Sequence, residues 1–312
     1  MSSVLITRRI PSSVLTLVAA DHSVDVYTDD APLSRDEFKR RVADKDGLIA
    51  VATDRIDGDL LDAAPALKVV ANIAVGYDNI DVRAARARGI AVTNTPDVLT
   101  EATAEFTWAL ILAVARRVGE GDRLIRARAW KGWALDFMLG TELRGKRLGI
   151  VGAGRIGRAV AAKAPAFGMT TVFARRGAAA SEPTALSFDE LLVSCDVISL
   201  HTPLTPDTRH LIDKRALMRM KRSALLVNMA RGPVVDEEAL VWALGERLIA
   251  GAALDVYEKE PEVHPGLLQF DNVVLAPHLG SATRETRTAM IELAARNVLA
   301  VLAGDEPLTP VP

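Results

Sequence analysis

The chain of 312 residues has almost no cysteine, few aromatic residues and no excess of either charge. Its one cysteine, Cys195, cannot form an internal disulfide, and the sequence contains no group of thiols that could bind a metal. Because Cys195 lies beside an apolar run, in SCDVISL, we expect it to be a core residue rather than a reactive thiol. The sequence therefore indicates neither a disulfide-stabilised nor a metal-binding fold.

The charges and the apolar runs exclude further classes of protein. The 38 basic and 40 acidic residues are interspersed, so no basic surface for nucleic acid or anionic lipid is expected. The longest apolar stretch, 108–115, is too short to span a bilayer. The N-terminus, MSSVLITRRIP, places its arginines after the apolar residues, which reverses the order of a signal peptide. We expect a cytoplasmic protein with a small-molecule partner.

Short β-branched runs alternate with alanine-rich helical patterns along most of the chain. A first series consists of VLIT, DVYT, GLIAVAT, KVVANIAV and IAVTN. A second series consists of RLGIVGAG, TTVFARR, DVISLHTP, ALLVNMAR, AGAALDV and NVVLAPH. This alternation is typical of parallel sheets covered by helices on both faces. The pattern predicts an α/β protein with two doubly wound, Rossmann-like domains.

Two helical segments define the expected domain boundaries. One helix is predicted from about 100 to 128, between the two series of strands. Another is predicted to begin after Thr283, to carry Ile291, Ala294, Val298 and Val301 on one face, and to end at Gly304. We therefore expect a discontinuous, flavodoxin-like outer domain, 1–98 plus 287–312, that binds substrate, and a dinucleotide-binding Rossmann domain, 99–286.

The glycines of RLGIVGAGRIGRAVAAKA lie between an apolar strand and an amphipathic helix. Gly152 permits a tight turn, Gly154 lets the backbone approach a pyrophosphate, and Gly157 allows the helix to pack closely on the strand. The helix N-terminus then offers N–H groups and a positive dipole end to the anion. This context favours a dinucleotide site over a glycine-rich turn that binds nothing.

The end of the next strand, TTVFARR, determines which dinucleotide is expected. An acidic residue at this point hydrogen-bonds the ribose 2′-hydroxyl of NAD. Here Arg175 and Arg176 stand instead, and guanidinium groups favour the 2′-phosphate of NADP. We therefore predict NADPH as the cofactor, with NADH as a weaker alternative. The other interpretation is that both arginines are solvated surface charges.

Three side chains that could reduce a 2-oxo acid lie after predicted strands. Arg231 could bind the substrate carboxylate and polarise its carbonyl, and His278 could protonate the carbonyl oxygen. Glu260 could pair with His278 and favour the protonated imidazole. Taken singly, the three could also be a surface cation, a loop acid and a core histidine.

Seven blocks of sequence carry a family resemblance over nearly the whole chain. They are VGYDNID (75–81), TNTPDVLTEATAE (93–105), GIVGAGRIG (149–157), HTPLTPDTRHLI (201–212), NMARGPVVDE (228–237), ALDVYEKEP (253–261) and PHLGSAT (277–283). In this order they make the chain resemble the D-isomer-specific 2-hydroxyacid dehydrogenases, and among these the glyoxylate/hydroxypyruvate reductases.

The resemblance implies roles for individual residues. Arg231, Glu260 and His278 would be the catalytic residues, and the backbone N–H groups of Val75 and Gly76 would hold the substrate carboxylate. Besides the glycines and arginines named above, cofactor contacts are expected at Thr103, Arg155, Ile156, Thr202, Pro203, Met229, Ala230, Asp255, His278 and Ser281. No metal is expected.

Features outside these blocks leave some points open. The resemblance implies a homodimer formed through the dinucleotide domain. Trp130 and Trp133, in WKGWALDFMLG, would pack at its interface or border the partner's pocket. Pro165 interrupts the helix after the glycine turn and is expected to kink its last turn.

Other activities also fit the same blocks. A 2-ketogluconate reductase and a hydroxyphenylpyruvate reductase would differ only in the substrate pocket. A formate dehydrogenase is disfavoured by Glu260, and a phosphoglycerate dehydrogenase by the absence of a regulatory extension. A dinucleotide-sensing corepressor, which binds partners rather than turning over substrate, is the alternative from a different class.

Overall fold

The computed structural model describes residues 1–29, 31–175 and 184–312. These residues form two compact units, one of residues 1–99 with 283–312 and one of residues 100–282. Each unit is built on a parallel sheet, of five strands in the first and seven in the second. The predicted fold class, two doubly wound α/β domains, is confirmed.

The first unit has a sheet of the flavodoxin-like order predicted for it, β2-β1-β3-β4-β5. Its elements follow as β1 (Ser3–Ile6), α1 (Ser12–Ala19), β2 (Ser23–Val26), α2 (Arg35–Val42), β3 (Gly47–Val51), α3 (Gly58–Asp62), β4 (Val69–Ile73), α4 (Val82–Ala87) and β5 (Ala91–Thr93). The central strands β1, β3 and β4 are almost wholly buried, because helices cover both faces of the sheet.

The second unit begins with two helices and continues with alternating strands and helices. These are α5 (Thr100–Ala115), α6 (Val118–Arg126), β6 (Arg147–Val151), α7 (Arg155–Lys163), β7 (Thr170–Ala174), β8 (Ala185–Leu186), α8 (Phe188–Ser194), β9 (Val197–Leu200), α9 (Lys214–Arg219), β10 (Leu225–Asn228), α10 (Glu237–Gly245), β11 (Gly251–Leu254) and β12 (Val273–Leu275). The strand order is β12-β11-β10-β9-β6-β7-β8.

This strand order indicates where a ligand is expected to bind the sheet. The chain moves outward from β6 to β7 and β8, and then returns to the other side of β6 with β9. In such sheets ligands bind at the carboxyl ends of the strands, where the order reverses.

The cysteine is a core residue, as predicted. Cys195 lies beneath this sheet with no exposed surface, and burial raises the pKa of its thiol to about 11.

The prediction of one continuous helix over 100–128 is wrong. The chain breaks between α5 and α6, where Arg117 has a φ of 54°. The carbonyl of Ala115, which would otherwise continue the helix, accepts a hydrogen bond from the Thr141 N–H at 2.7 Å. Gly140 passes so close that a Cβ there would lie 2.5 Å from the Ala115 oxygen. The segment that contains Gly140 and Thr141 therefore occupies the place of the next helical turn.

The helix is interrupted before Pro165, as predicted, but the expected kink in its last turn is not observed. Helix α7 ends at Lys163, and Pro165 lies in a separate 3₁₀ turn, Ala164–Phe167. Proline is favourable at the start of such a turn, because its missing N–H needs no partner there. The turn stacks Phe167 on Trp108 of α5, with ring centroids 4.2 Å apart.

The C-terminal helix α11 (Arg284–Ala303) matches its prediction at both ends. The Thr283 side chain accepts a hydrogen bond from the Thr286 N–H, and Gly304 ends the helix with a φ of 90°. The predicted face packs on the first unit's sheet, with Ala294 and Val298 buried. Beyond the helix, the tail pairs with β5 through Thr93 and Pro310. Among the described helices, none is long and apolar enough to cross a membrane.

Candidate active site

The three glycines after β6 have different structural roles. Gly152 has a φ of 107°, and a Cβ there would lie 2.5 Å from the carbonyl oxygen of His201. A Cβ at Gly157 would lie 2.1 Å from the carbonyl oxygen of Gly152. Around Gly154, in contrast, no described atom other than those of its chain neighbours and its own helix lies within 4 Å of the Cβ position. The fold itself therefore requires Gly152 and Gly157, whereas Gly154 faces open space.

The N-terminus of α7 fits a pyrophosphate group. Gly154 is its N-cap residue, and no side chain caps the first-turn N–H groups. Helices α8, α9 and α10 each have a capping side chain, from Ser187, Asp213 and Asp236. An uncapped helix end with open space before it can present N–H groups and a positive dipole end to an anion. The residues present thus fit a dinucleotide.

Arg175 lies where the sequence predicts a contact with the cofactor's ribose. It directly follows β7, and its Nη2 atom donates to the Ala185 carbonyl at 2.8 Å. That hydrogen bond fixes an exposed guanidinium beside the carboxyl end of the strand. Arg176 lies outside the described residues.

Most of the other expected cofactor contacts lie after the central strands. Thr202 and Pro203 follow β9, Met229 and Ala230 follow β10, Asp255 follows β11, Ser281 lies beyond β12, and Arg155 and Ile156 begin α7. Thr103, on α5, is buried. Methyl carbons of Thr103 and Met229 and an oxygen of Asp255 all lie within 3.4 Å of the Cβ position of Gly280. These side chains therefore converge on the loop after β12.

The structure brings Glu260 and His278 into direct contact. The Nδ1 atom of His278 lies 2.9 Å from Oε2 of Glu260, while Oε1 accepts from the Tyr257 N–H at 3.1 Å. Burial raises the pKa of Glu260, but the hydrogen bond to His278 and the charges of His278 and Arg231 outweigh it and hold the pKa below its usual value. The Glu260 carboxylate thus fixes the Nδ1 atom of His278, and Nε2 is the ring nitrogen that could contact a ligand.

Asp255 holds the turn that carries His278. Its two carboxylate oxygens accept from the N–H groups of Leu279, at 2.6 Å, and Gly280, at 2.8 Å. Its carbonyl accepts from the His278 N–H at 2.9 Å. His278 itself has a φ of 56°, a conformation that is uncommon for histidine and that these contacts stabilise. Burial raises the pKa of Asp255 despite both hydrogen bonds.

Arg231 follows β10 in a turn that is fixed by its neighbours. The Asn228 side chain donates to the Arg231 carbonyl at 3.0 Å, and Nη1 of Arg231 donates to the Ala230 carbonyl at 2.9 Å. Gly232 approaches the Tyr257 backbone so closely that a Cβ would lie 1.8 Å from its carbonyl carbon. Gly232 had no predicted role, although its place directly after Arg231 was visible in the sequence.

The remaining predicted residues lie apart from this group in the chain. Val75 and Gly76 follow β4 of the first unit, in a loop whose carbonyl groups are bound by asparagine side chains. Trp130 and Trp133 follow α6 of the second unit, and 51% and 77% of their surfaces are exposed.

Comparison with known proteins places these residues in a family context. Residues 108–280 match the family model for "D-isomer specific 2-hydroxyacid dehydrogenase, NAD binding domain". The chain is 47% identical to a glyoxylate reductase from Thermococcus onnurineus, over 98% of this chain and 94% of that protein.

Solved structures agree with the family match. A protein from Thermus thermophilus has a TM-score of 0.94 and 48% identity, over 99% of this chain and all of that one. An NADPH-dependent glyoxylate/hydroxypyruvate reductase from Sinorhizobium meliloti, in complex with NADP and malonate, has a TM-score of 0.87 and 35% identity, over 99% of this chain and 96% of that one.

Proposed function

The chain belongs to the D-isomer-specific 2-hydroxyacid dehydrogenases, and we propose that it reduces glyoxylate or hydroxypyruvate to the D-2-hydroxy acid with NADPH. The contact between His278 Nδ1 and Glu260 Oε2, at 2.9 Å, carries the proposal. A histidine held in this way at the carboxyl edge of a dinucleotide-binding sheet is suited to protonate a carbonyl oxygen. The names of the relatives support the substrate class.

The three catalytic side chains have separate roles in this reaction. Nicotinamide, when bound in reduced form, supplies the hydride. Arg231 binds the substrate carboxylate and draws electron density toward the carbonyl oxygen. His278 donates its Nε2 proton to that oxygen, and Glu260 stabilises the imidazolium beforehand and orients the ring. In the reverse direction the neutral imidazole accepts the hydroxyl proton.

NADPH is the proposed cofactor because of the charge at the end of β7. Arg175 is exposed there, and its hydrogen bond to Ala185 holds it near the strand end. A guanidinium at this point attracts a 2′-phosphate, whereas an acidic residue would repel it. The other proposed cofactor contacts lie at the start of α7, after β9, β10, β11 and β12, and on α5.

A homodimer is proposed on the exposed segment that follows α6. Five large apolar residues in ten positions are exposed there, by between 41% and 84%: Trp130, Trp133, Leu135, Phe137 and Leu139. A monomer rarely leaves so many large side chains in water within one segment. Burial against a second copy would remove this surface from solvent.

A panel of substrates tests the proposal. Glyoxylate, hydroxypyruvate, 2-ketogluconate and hydroxyphenylpyruvate are each assayed with NADPH and with NADH, and ranked by kcat/KM. We expect glyoxylate or hydroxypyruvate with NADPH to rank first. If 2-ketogluconate or hydroxyphenylpyruvate ranks first, that acid replaces glyoxylate and hydroxypyruvate as the proposed substrate. Negligible turnover with all four, with cofactor-dependent binding of a protein partner, would favour a sensor.

A further inference from the structure

Three consecutive carbonyl groups after β4 each accept a hydrogen bond from another part of the first unit. The Ala74 carbonyl accepts from the Thr95 N–H at 2.9 Å. The Val75 carbonyl accepts from Nδ2 of Asn94 at 2.8 Å, and the Gly76 carbonyl from Nδ2 of Asn72 at 2.9 Å. Two of these three donors are side-chain amides, so their identity is a property of the sequence and not of the backbone alone.

Because each carbonyl has a fixed donor, the direction of the N–H group in the same peptide is also known. In a planar trans peptide, the carbonyl of one residue and the N–H of the next point in opposite directions. The N–H groups of Val75, Gly76 and Tyr77 therefore point away from the donors that bind the carbonyls. Within residues 1–29, 31–175 and 184–312, no hydrogen-bond acceptor is found for any of these three N–H groups.

We propose that Asn94 and Asn72 are positioning residues, which turn the backbone of this loop so that the N–H groups of Val75, Gly76 and Tyr77 bind the substrate carboxylate. The inference rests on the proposed function and adds two side chains to it. Aligned N–H donors next to one another form a concave site for an anion, and hydrogen bonds to a carboxylate are stronger than those to a neutral acceptor.

Both asparagines are themselves held in place. Asn72 has no exposed surface and exchanges hydrogen bonds with Asn79, whose Nδ2 also donates to the Asp54 carbonyl at 3.0 Å. The Asn94 carbonyl accepts from the Thr309 hydroxyl at 2.6 Å. Thr309 is bound in turn by Asn297 of α11. The C-terminal tail thus holds the backbone of Asn94 in place.

The contact with the Val75 carbonyl requires an amide side chain at position 94. Its nitrogen donates to the Val75 carbonyl and carries no charge. An aspartate has nearly the same shape, but it cannot donate when ionised and would repel both the carbonyl and a bound carboxylate. An alanine would simply remove the donor. Asn94 is the better target, because it is only half-buried, whereas Asn72 is fully buried.

The test measures steady-state kinetics with glyoxylate and NADPH for Asn94→Asp and Asn94→Ala. We expect the KM for glyoxylate to rise about tenfold or more, because the carboxylate loses its aligned donors. The KM for NADPH should stay within about twofold, and kcat should change less than the KM for glyoxylate. Asn94→Ala serves as the second variant in case the added charge of Asn94→Asp prevents folding.

A binding measurement and a matched control separate positioning from general stability. Oxamate, an unreactive acid with the same carboxylate, should bind the enzyme–NADPH complex about tenfold more weakly in both variants. Asn272→Asp is the control, because Asn272 also donates from Nδ2 to a loop carbonyl, that of Ala250 at 2.9 Å, but in the second unit. Its KM for glyoxylate should remain that of the wild type.

Two results would overturn the inference while the proposed function stands. One is a wild-type KM and oxamate affinity in both Asn94 variants. The other is a fall in kcat alone, with oxamate affinity kept. If the wild type instead reduces no 2-oxo acid, the proposed function fails, and calorimetry with oxamate still decides whether the loop binds a carboxylate through these N–H groups.

Discussion

The Glu260 carboxylate has each of its oxygens assigned to a different partner. One oxygen accepts from the Tyr257 N–H, and the other contacts Nδ1 of His278. This arrangement leaves little freedom for the carboxylate to rotate, so the imidazole ring has a defined orientation. The pKa of Glu260 is lowered because the contacts with His278 and the charge of Arg231 outweigh burial.

Replacing Glu260 by glutamine should change how stability depends on pH. A carboxyl whose folded pKa lies below the unfolded value stabilises the fold above the unfolded pKa and loses that contribution as pH falls through the folded pKa. We expect Glu260→Gln to lower the free energy of unfolding by about 1 to 2 kcal/mol at pH 7. At about pH 3, below the unfolded pKa of about 4.3, the difference should be clearly smaller. Urea denaturation at both pH values measures it, and an equal difference at both would contradict the assignment.

Changing the sign of the charge at Arg175 should change cofactor preference. In Arg175→Glu the carboxylate would repel a 2′-phosphate and could bind a 2′-hydroxyl. We expect kcat/KM with NADPH to fall at least about tenfold, with a smaller change for NADH. The control is Arg144→Glu, at an exposed arginine paired with Glu142, which should leave the ratio of kcat/KM with NADPH to kcat/KM with NADH unchanged. A ratio that is also unchanged in Arg175→Glu would refute the electrostatic argument.

The elements that carry the site are turns, and each turn is set by a close approach. Gly152 packs against His201, Gly157 against Gly152, and Gly232 against Tyr257. The strands and helices on either side only bring these turns to one edge of the sheet. The chemistry therefore depends on a few positions where a side chain larger than hydrogen cannot fit.

Two alanine substitutions in the glycine turn should affect different properties, stability in one variant and cofactor affinity in the other. Gly157→Ala places a methyl group against the Gly152 carbonyl, so we expect the free energy of unfolding to fall by about 3 kcal/mol. Gly154→Ala meets no described atom, so stability should change by less than about 1 kcal/mol. Its methyl group would stand where the pyrophosphate approaches, so cofactor affinity should fall about tenfold. Thermal unfolding and cofactor titration measure the pair, and normal cofactor binding by Gly154→Ala would count against the site.

Local signals in the sequence predicted the elements that depend on them. Helix α11 begins and ends at Thr283 and Gly304, whose capping roles are properties of those residues. The break between α5 and α6 was missed, because it depends on Thr141, which lies 26 positions beyond Ala115 in the chain. The role of Gly232 was missed for the same reason, since its close contact is with Tyr257.

On the scale of the molecule, the sequence predicted the two parallel sheets but not how their loops are held. Alternation of strands and helices follows from periodicity, which is visible in any window of the chain. The support of Asn94 by Thr309 joins two ends of a unit that is interrupted by 183 residues, from 100 to 282. Contacts between residues so far apart in the chain leave no periodic pattern in the sequence.

The state of assembly is a further property of the whole molecule. We expect the wild type to sediment at about twice the 33.5 kDa of one chain, because the segment containing Trp133 would be buried between two copies. Trp133→Asp should shift the protein toward monomer. Met218→Asp, at a similarly exposed apolar residue elsewhere in the same unit, should not. A wild type that sediments as a monomer would refute the proposed dimer.

Proton donation by His278 to a 2-oxo acid is the step on which the proposed function depends. The most direct measurement compares kcat for glyoxylate, at saturating NADPH, between the wild type and His278→Ala, together with cofactor affinity. We expect kcat to fall by a factor of about 10² to 10⁴, far more than the affinity for NADPH, which should weaken less because His278 is only one of many expected cofactor contacts. A variant that keeps the wild-type kcat would contradict the mechanism.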